Sequence, residues 1–289
     1  MKVLVTGATG FIGNYVIKEL LRRNIEVIAT STSIEKAKEK SWYDKVTYVE
    51  HNLKYDVSGL FQKFHSPSIL IHLAWSGLPN YKQLFHIEEE LMIQYFFIKQ
   101  LIKDGLQNVN ITGTCFEYGM QEGCLNEEIN FSNPSNNYAI AKDTLRKFLT
   151  QLNQTCPFSL KWLRLFYMFG LGQNENSILQ QLQRALDNKE ITFNMSGGEQ
   201  LRDYLSVETV ANYLVESSLQ TEVDGIINLC SNNPIKIIEL VSQYLLNTKQ
   251  TITLNLGFYN YPDYEPFAFW GDNTKLISIL SKNESNRTI

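Results

Sequence analysis

Over the first half of the chain, short β-branched runs alternate with longer stretches whose apolar residues recur at helical spacing. A parallel sheet with crossover helices gives this pattern. Strands are predicted over residues 2–6, 25–30, 46–49, 68–73, 108–112 and 159–166. Ile12, Val16 and Leu20 recur every four residues, which lays one apolar stripe on the sheet and leaves Lys18, Arg22 and Arg23 to water. The same reasoning predicts helices over 81–103 and 138–153. Beyond Phe166 the period loosens and Gly170, Gly172, Gly197 and Gly198 punctuate it, with helices predicted over 177–188 and 206–220. The polar end, 281–289, is expected to fray. These shifts divide the chain into a sheet-forming unit, 1–166, to which 200–229 returns, and a smaller lobe built from 167–199 and 230–289.

Composition narrows the classes of function. The 289 residues, 44% hydrophobic and 19% charged, exclude a disordered or collagen-like chain and suffice for a real core. Lys and Arg number 26 against 30 Asp and Glu, a formal charge of −4, so no basic field exists to gather nucleic acid or an anionic membrane. The four cysteines, Cys115, Cys124, Cys156 and Cys230, show no CxxC spacing and no grouping with His, so neither a metal site nor a disulfide framework is expected. Lys99 and Lys103 interrupt the longest apolar candidate, and the short apolar start ends in glycine, so neither a membrane span nor a signal peptide is expected. A soluble, unexported, cytoplasmic protein with reduced thiols fits these features.

The first predicted strand runs directly into Gly7-Ala8-Thr9-Gly10-Phe11-Ile12-Gly13, a GxxGxxG spacing that opens a predicted amphipathic helix. Glycine permits positive φ and close backbone approach, and the helix's positive end meets the charge of a diphosphate. The bland alternative is a tight turn; the strand–loop–helix context favours nucleotide binding. Further on, Tyr138-Ala139-Ile140-Ala141-Lys142 places a phenol and an ammonium at i and i+4, on one helix face. A nearby ammonium favours phenolate, which is expected to lower the tyrosine pKa toward the range of general acid–base work. By itself such a pair is more often a Tyr beside a surface Lys.

With the glycine loop, YxxxK and a Ser/Thr at the end of the strand before the YxxxK helix, the chain resembles the extended short-chain dehydrogenase/reductase family. The resemblance implies a Rossmann-like α/β fold, a doubly wound parallel sheet with a smaller C-terminal substrate-binding lobe. It implies a dinucleotide held by Gly7, Thr9, Gly10, Phe11 and Ile12, by Asn52 and Leu53 after the third strand, by Leu73, Ala74 and Trp75 after the fourth, and by Phe166, Tyr138 and Lys142. His72 is assigned no chemistry. Where NAD-selective members carry an acid, this chain reads Ala29-Thr30-Ser31-Thr32-Ser33. Ser31 and Thr32, with Lys36 or Lys38, suit a 2′-phosphate, so NADP(H) is expected over NAD(H). A plain helix N-cap at Ser33 would look much the same.

By the family's spacing to Tyr118-Gly119, the hydroxyl member of the catalytic trio is Thr114, beside Tyr138 and Lys142. Thr114, Tyr138 and Arg202 are the implied substrate contacts, with the Arg202 fork on a diphosphate. An ordinary Arg paired with Asp203 or Glu199 is the alternative. The two positions after Thr114, acidic in the family's 4,6-dehydratases, are Cys115 and Phe116, so elimination lacks its acid and base; Cys115 is read as packing. Tyr167 stands where relatives place an Asn on the substrate phosphates. The likeness, over about residues 1–275, is greatest to reductases of nucleoside-diphosphate 4-keto-6-deoxyhexoses, which implies reduction of a C4 ketone by NADPH in deoxysugar biosynthesis, such as that of O-antigen lipopolysaccharide. A 4-epimerase with tightly bound NAD, or a non-catalytic dinucleotide binder, are the alternatives. Family members commonly pair as homodimers through two helices, for which Phe96, Phe97 and Phe148 could serve, or merely form core.

Overall fold

The computed structural model describes residues 1–55, 58–263 and 265–287, with side chains through residue 283. Seven parallel strands form the main sheet: β1 (Lys2–Thr6), β2 (Glu26–Ser31), β3 (Thr47–Glu50), β4 (Ile69–His72), β5 (Asn108–Thr114), β6 (Ser159–Leu165) and β7 (Gly225–Leu229). Their order is β7-β6-β5-β4-β1-β2-β3. This is the doubly wound α/β fold expected. Chain order reverses between β1 and β4, where Thr6 pairs with Thr30 on one side and His72 on the other. A crevice opens at the carboxyl ends of the strands there, the usual ligand position in such sheets.

Both sheet faces are covered, which is why the strands read as apolar runs rather than alternating ones. On one face α1 (Phe11–Arg22) buries Val16, Ile17 and Leu20 against Val3, Val5 and Val27. On the other, α2 (Leu91–Lys103) and α3 (Asn137–Asn153) bury Phe97, Leu101, Leu145 and Leu149 against Leu4, Leu70 and Val109. Phe97 is therefore core, whereas Phe96 and Phe148 are 49% and 38% exposed on these helices. A separate cluster joins α4 (Ile178–Asp187) to α6 (Ile237–Thr248) through Leu182, Phe193, Met195 and Val241 and makes the smaller lobe.

Three elements differ from expectation. β7 was not predicted; Gly225–Leu229 pairs with Lys161 to Leu165 at the sheet edge. The helix expected over 81–103 begins only with a wide turn at His86–Glu90, followed by α2. Upstream, the carbonyls of Tyr81 and Lys82 accept from Tyr138 N at 3.0 Å and Asn137 Nδ2 at 2.7 Å, so the start of α3 takes bonds a helix would need. The start of the polar end is helical: α7 (Thr274–Arg287) runs into it and buries Leu276 and Ile279 against the sheet unit, alongside α5 (Val207–Leu219). It therefore lies apart from the lobe expected to hold 230–289. Lys282 and Asn283 bond Glu222 and Glu216 at 2.7 Å, giving the polar residues partners; residues 288 and 289 lie outside the described residues. No helix among the described residues is long and apolar enough to cross a membrane.

Candidate active site

The glycine loop lies at the point where strand order reverses. Gly7 has φ +66°, and a Cβ added there would lie 2.9 Å from Ala74 N; one at Gly13 would lie 2.3 Å from the Gly7 carbonyl oxygen. Gly10 N donates to that same oxygen at 3.0 Å. No side chain caps the start of α1 and no acidic residue occupies its first turn, so its amides and positive pole remain for an anion. The residues present thus fit a dinucleotide diphosphate. Gly7, Thr9, Gly10, Phe11 and Ile12 form this cradle, with Leu73 and Ala74 across from it. Thr6 Oγ1 accepts from Leu73 N at 3.2 Å and Ala74 N at 3.3 Å, tying the two loops together.

The other expected cofactor residues are placed less simply. Ser31 Oγ pairs with Tyr48 Oη at 2.9 Å, while Thr32 is exposed. Ser33 caps the short helix Ile34–Lys38, accepting from Lys36 N at 3.2 Å, and donates to Glu35. Glu50 at the end of β3 accepts from Ile34 N at 2.9 Å, so two carboxylates, Glu35 and Glu50, flank the segment expected to receive a 2′-phosphate. Asn52 Oδ1 accepts from Lys54 N at 3.0 Å. Phe166 is buried among aromatic rings, 6.5 Å between centroids from Tyr118 and 6.4 Å from Phe269.

Thr114 ends β5, and Tyr138 and Lys142 lie in the first turns of α3, whose N-cap Asn136 accepts from Ala139 N at 2.9 Å. All three side chains are buried. Lys142 Nζ donates to the Thr112 carbonyl at 2.9 Å and lies 4.2 Å above the Trp75 ring, but 6.0 Å from the centre of the Tyr138 ring. Burial lowers the Lys142 ammonium to about 7, against the opposing pull of Glu117 and Glu90. Burial likewise pushes the Tyr138 phenol well above its ordinary value, helped by Tyr81 and Glu117. The expected lowering by the lysine is therefore not found: Nζ is engaged by a carbonyl and an indole, and desolvation decides. A phenol in this state holds its proton at neutral pH.

Two polar networks brace these groups, and neither was anticipated. Thr6 Oγ1 meets His72 Nδ1 at 2.9 Å, His72 Nε2 meets Gln94 Oε1 at 2.7 Å, and Gln94 donates to Glu90 at 2.6 Å. Because Thr6 Oγ1 accepts two backbone N–H groups, its own proton goes to Nδ1, and His72 carries its hydrogen on Nε2. Burial lowers His72 to about 3, so it is neutral and structural. Glu90 also accepts from Ser76 N at 2.8 Å, and Trp75 Nε1 donates to His86 at 3.1 Å, which fixes the loop that carries Trp75.

In the second network, fully buried Glu117 accepts from Thr114 N and Trp162 Nε1, both at 2.9 Å, and from Arg164 Nε at 2.8 Å. Thr114 Oγ1 in turn accepts from Phe116 N at 3.3 Å, closing a capping box. The signal in the sequence was Arg164 itself, a second charge, after Lys161, inside a strand otherwise built of Leu and Trp apart from its first residue, Ser159.

A cavity of about 980 Å³ opens between the sheet unit and the smaller lobe. Tyr81, Phe116, Tyr167 and Tyr204 line it, with Lys82, Glu265 and many amides. Ser177 and Ile178, at the start of α4, also face it, as does Gln200, 6% exposed, whose Nε2 has no partner. Arg202 does not line it. Its Nη1 donates to the carbonyls of Leu201 and Phe267 at 2.8 and 2.9 Å, and Nη2 to Pro266 at 2.8 Å and Glu265 at 3.0 Å. Arg202 is buried, and the intended diphosphate fork is occupied by its own chain. Arg202 is thus paired with Glu265 and not with Asp203 or Glu199, the alternatives expected, and Asp203 takes Ser231 N and Oγ, both at 2.7 Å. Cys115 is buried with its thiol pushed up by burial, as packing requires. Among the described residues no group of three His, Cys, Asp or Glu could hold a metal.

A glycine cradle at the reversal point of a doubly wound sheet, with a Tyr–Lys helix and a hydroxyl beside it, defines a dinucleotide-dependent enzyme class. Residues 3–230 match the NAD dependent epimerase/dehydratase family, and the chain belongs to it. It is 28% identical, over 94% of its length and 99% of the relative's, to a dTDP-6-deoxy-L-talose 4-dehydrogenase (NAD(+)) of Aggregatibacter actinomycetemcomitans. It is 23% identical to dTDP-4-dehydro-6-deoxyglucose reductase of Escherichia coli, over 86% of this chain and 83% of that one. Among solved structures, UDP-glucuronic acid 4-epimerase from Bacillus cereus, in complex with UDP-glucuronic acid and NAD, superposes with a TM-score of 0.82 at 20% identity, over 97% of this chain and 93% of the other.

Proposed function

We propose that the protein reduces the C4 ketone of a nucleoside-diphosphate 4-keto-6-deoxyhexose with NADPH, the reverse of a 4-dehydrogenation. One observation carries the reading. Tyr138 is a buried phenol held protonated on the helix that packs against the strand ending in Thr114, while the next two positions, Cys115 and Phe116, supply no second acid or base. One proton donor suits one hydride addition to a carbonyl; elimination needs further proton transfers. When bound, the nicotinamide supplies the hydride. Tyr138 gives the proton to O4 of the sugar, Thr114 Oγ1 orients that oxygen, and Lys142 holds ribose hydroxyls close to the phenol. Trp75 and Tyr81, with ring centroids 5.8 and 5.7 Å from that of Tyr138, exclude water from it.

The substrate's diphosphate is assigned to the uncapped start of α4, with Gln200 Nε2 and Ser177 as donors, and not to Arg202, whose guanidinium stays in its cage. The relatives named for 4-dehydrogenation and 4-keto reduction act at the same carbon. For the cofactor, exposed Thr32, Lys36 and Lys38 favour a 2′-phosphate while Glu35 and Glu50 oppose it. Exposed charges contribute up to about 1 kcal/mol each, so the two ammoniums and two carboxylates nearly cancel, and the exposed hydroxyl of Thr32 tips the balance slightly toward NADPH over NADH. A cytoplasmic homodimer, paired through α2 and α3 over Phe96 and Phe148, completes the proposal. The test follows NADPH absorbance with dTDP-, CDP-, UDP- and GDP-4-keto-6-deoxyhexoses. Oxidation of one NADPH per keto sugar is expected with one of them; conversion of 4-epimers without net NADPH use would instead establish a 4-epimerase.

A further inference from the structure

Glu265 is a carboxylate inside a cavity assigned to a dianionic ligand, and no step above uses it. Its side chain is 11% exposed and lines the cavity, while each of its two oxygens has a partner. Arg202 Nη2 meets Oε1 at 3.0 Å, and the Tyr167 hydroxyl donates to Oε2. The cage that occupies Arg202 therefore has a second consequence. A guanidinium held by three backbone carbonyls cannot follow a ligand, but it keeps the neighbouring carboxylate in place, with lone pairs left over for the cavity.

The position of Glu265 relative to the reacting groups follows from a ladder of rings that starts at Tyr138, behind the cavity lining, and continues through Tyr81, Phe116 and Tyr167, which line it. Tyr138 contacts Tyr81 at 5.7 Å between centroids, Tyr81 contacts Phe116 at 5.2 Å, and Phe116 contacts Tyr167 at 6.3 Å, whose hydroxyl ends on Glu265. A pyranose whose C4 faced Tyr138 would extend into the cavity lined by Tyr81, Phe116, Tyr167 and Glu265. Resting on the proposed function, we propose that Glu265 is a specificity residue that accepts hydrogen bonds from hydroxyls of an uncharged sugar ring and rejects sugars bearing a carboxylate. A charged acceptor strengthens each hydroxyl contact. A second carboxylate about 6 Å away, at an effective dielectric near 20, is disfavoured by about a hundredfold, and Arg202 reduces this to about tenfold.

The test is calorimetric titration of the full-length, dinucleotide-loaded protein with sugar nucleotides that share a base and differ at C6: dTDP-glucose against dTDP-glucuronic acid, and the UDP pair. The wild type is expected to bind the uncharged sugar at least about tenfold more tightly. Glu265→Gln should narrow that ratio to about threefold or less while leaving affinity for dTDP or UDP alone unchanged. Equal wild-type affinity for both members of a pair overturns the proposal, as does an undiminished ratio in a folded Glu265→Gln protein. Should that variant not fold, the wild-type ratio decides. Failure of every nucleoside diphosphate and sugar nucleotide to bind would instead overturn the proposed function.

Discussion

Replacing Lys142 by Met should stabilise the unliganded fold at neutral pH while abolishing turnover. The fully buried ammonium is lowered from 10.5 to about 7 by desolvation. Between those values the unfolded chain binds more protons than the folded one, so wild-type stability rises with pH across that window and the penalty is complete below pH 7. Integrating between pH 7 and pH 9 gives a gain of about 2 kcal/mol for the wild type that the Met variant lacks. At pH 7 the penalty is about 4 kcal/mol; losing the Thr112 hydrogen bond and the Trp75 contact returns about 1 kcal/mol each, so the variant is more stable by about 2 kcal/mol. Urea unfolding of both proteins without dinucleotide, at pH 7 and pH 9, measures the difference directly. Other titrating groups cancel between the two proteins. A stability gap that stays constant within about 0.5 kcal/mol across those pH values would refute the assignment of desolvation as the dominant influence on Lys142.

Tyr138→Phe should bind NADPH with an unchanged dissociation constant and lose about 10² to 10⁴ in kcat, because only the proton source is removed; tryptophan fluorescence titration and steady-state rates separate the two. Glu117→Gln leaves buried Arg164 without its counter-charge and should cost about 3–5 kcal/mol, read as a lowered urea midpoint. Phe96→Asp with Phe148→Asp should halve the mass seen by sedimentation without lowering the urea midpoint, since both rings are already exposed. An unchanged mass would remove the proposed pairing through α2 and α3.

Much of the sheet was legible because parallel strands covered on both faces are short β-branched runs, and the glycine loop announced where the first of them ends. Boundaries shifted by a residue or two. β7 escaped notice because Gly225-Ile226-Ile227-Asn228-Leu229 is short and carries Asn228, whose Oδ1 accepts from Tyr118 Oη at 2.9 Å. Tertiary bonds overrode local period at 81–85, and Glu216 on α5 and Glu222 beyond it give partners to Asn283 and Lys282 in the last helix. At the site, spacing could place Tyr138 and Lys142 on one face but not weigh burial against their mutual attraction. The cage around Arg202 depends on carbonyls more than 60 residues away, at Pro266 and Phe267, which no local pattern reveals. Glu117, Glu265 and the His72–Gln94–Glu90 chain are ordinary polar residues in the sequence; only the fold buries them together.

The most direct measurement is isotope transfer. With NADPH deuterated at the transferable C4 position and a dTDP-, CDP-, UDP- or GDP-linked 4-keto-6-deoxyhexose, proton NMR of the product should show deuterium on sugar C4 and one equivalent of NADP⁺ formed. A product free of deuterium at C4, or one formed without oxidation of NADPH, would contradict hydride addition to a ketone protonated by Tyr138.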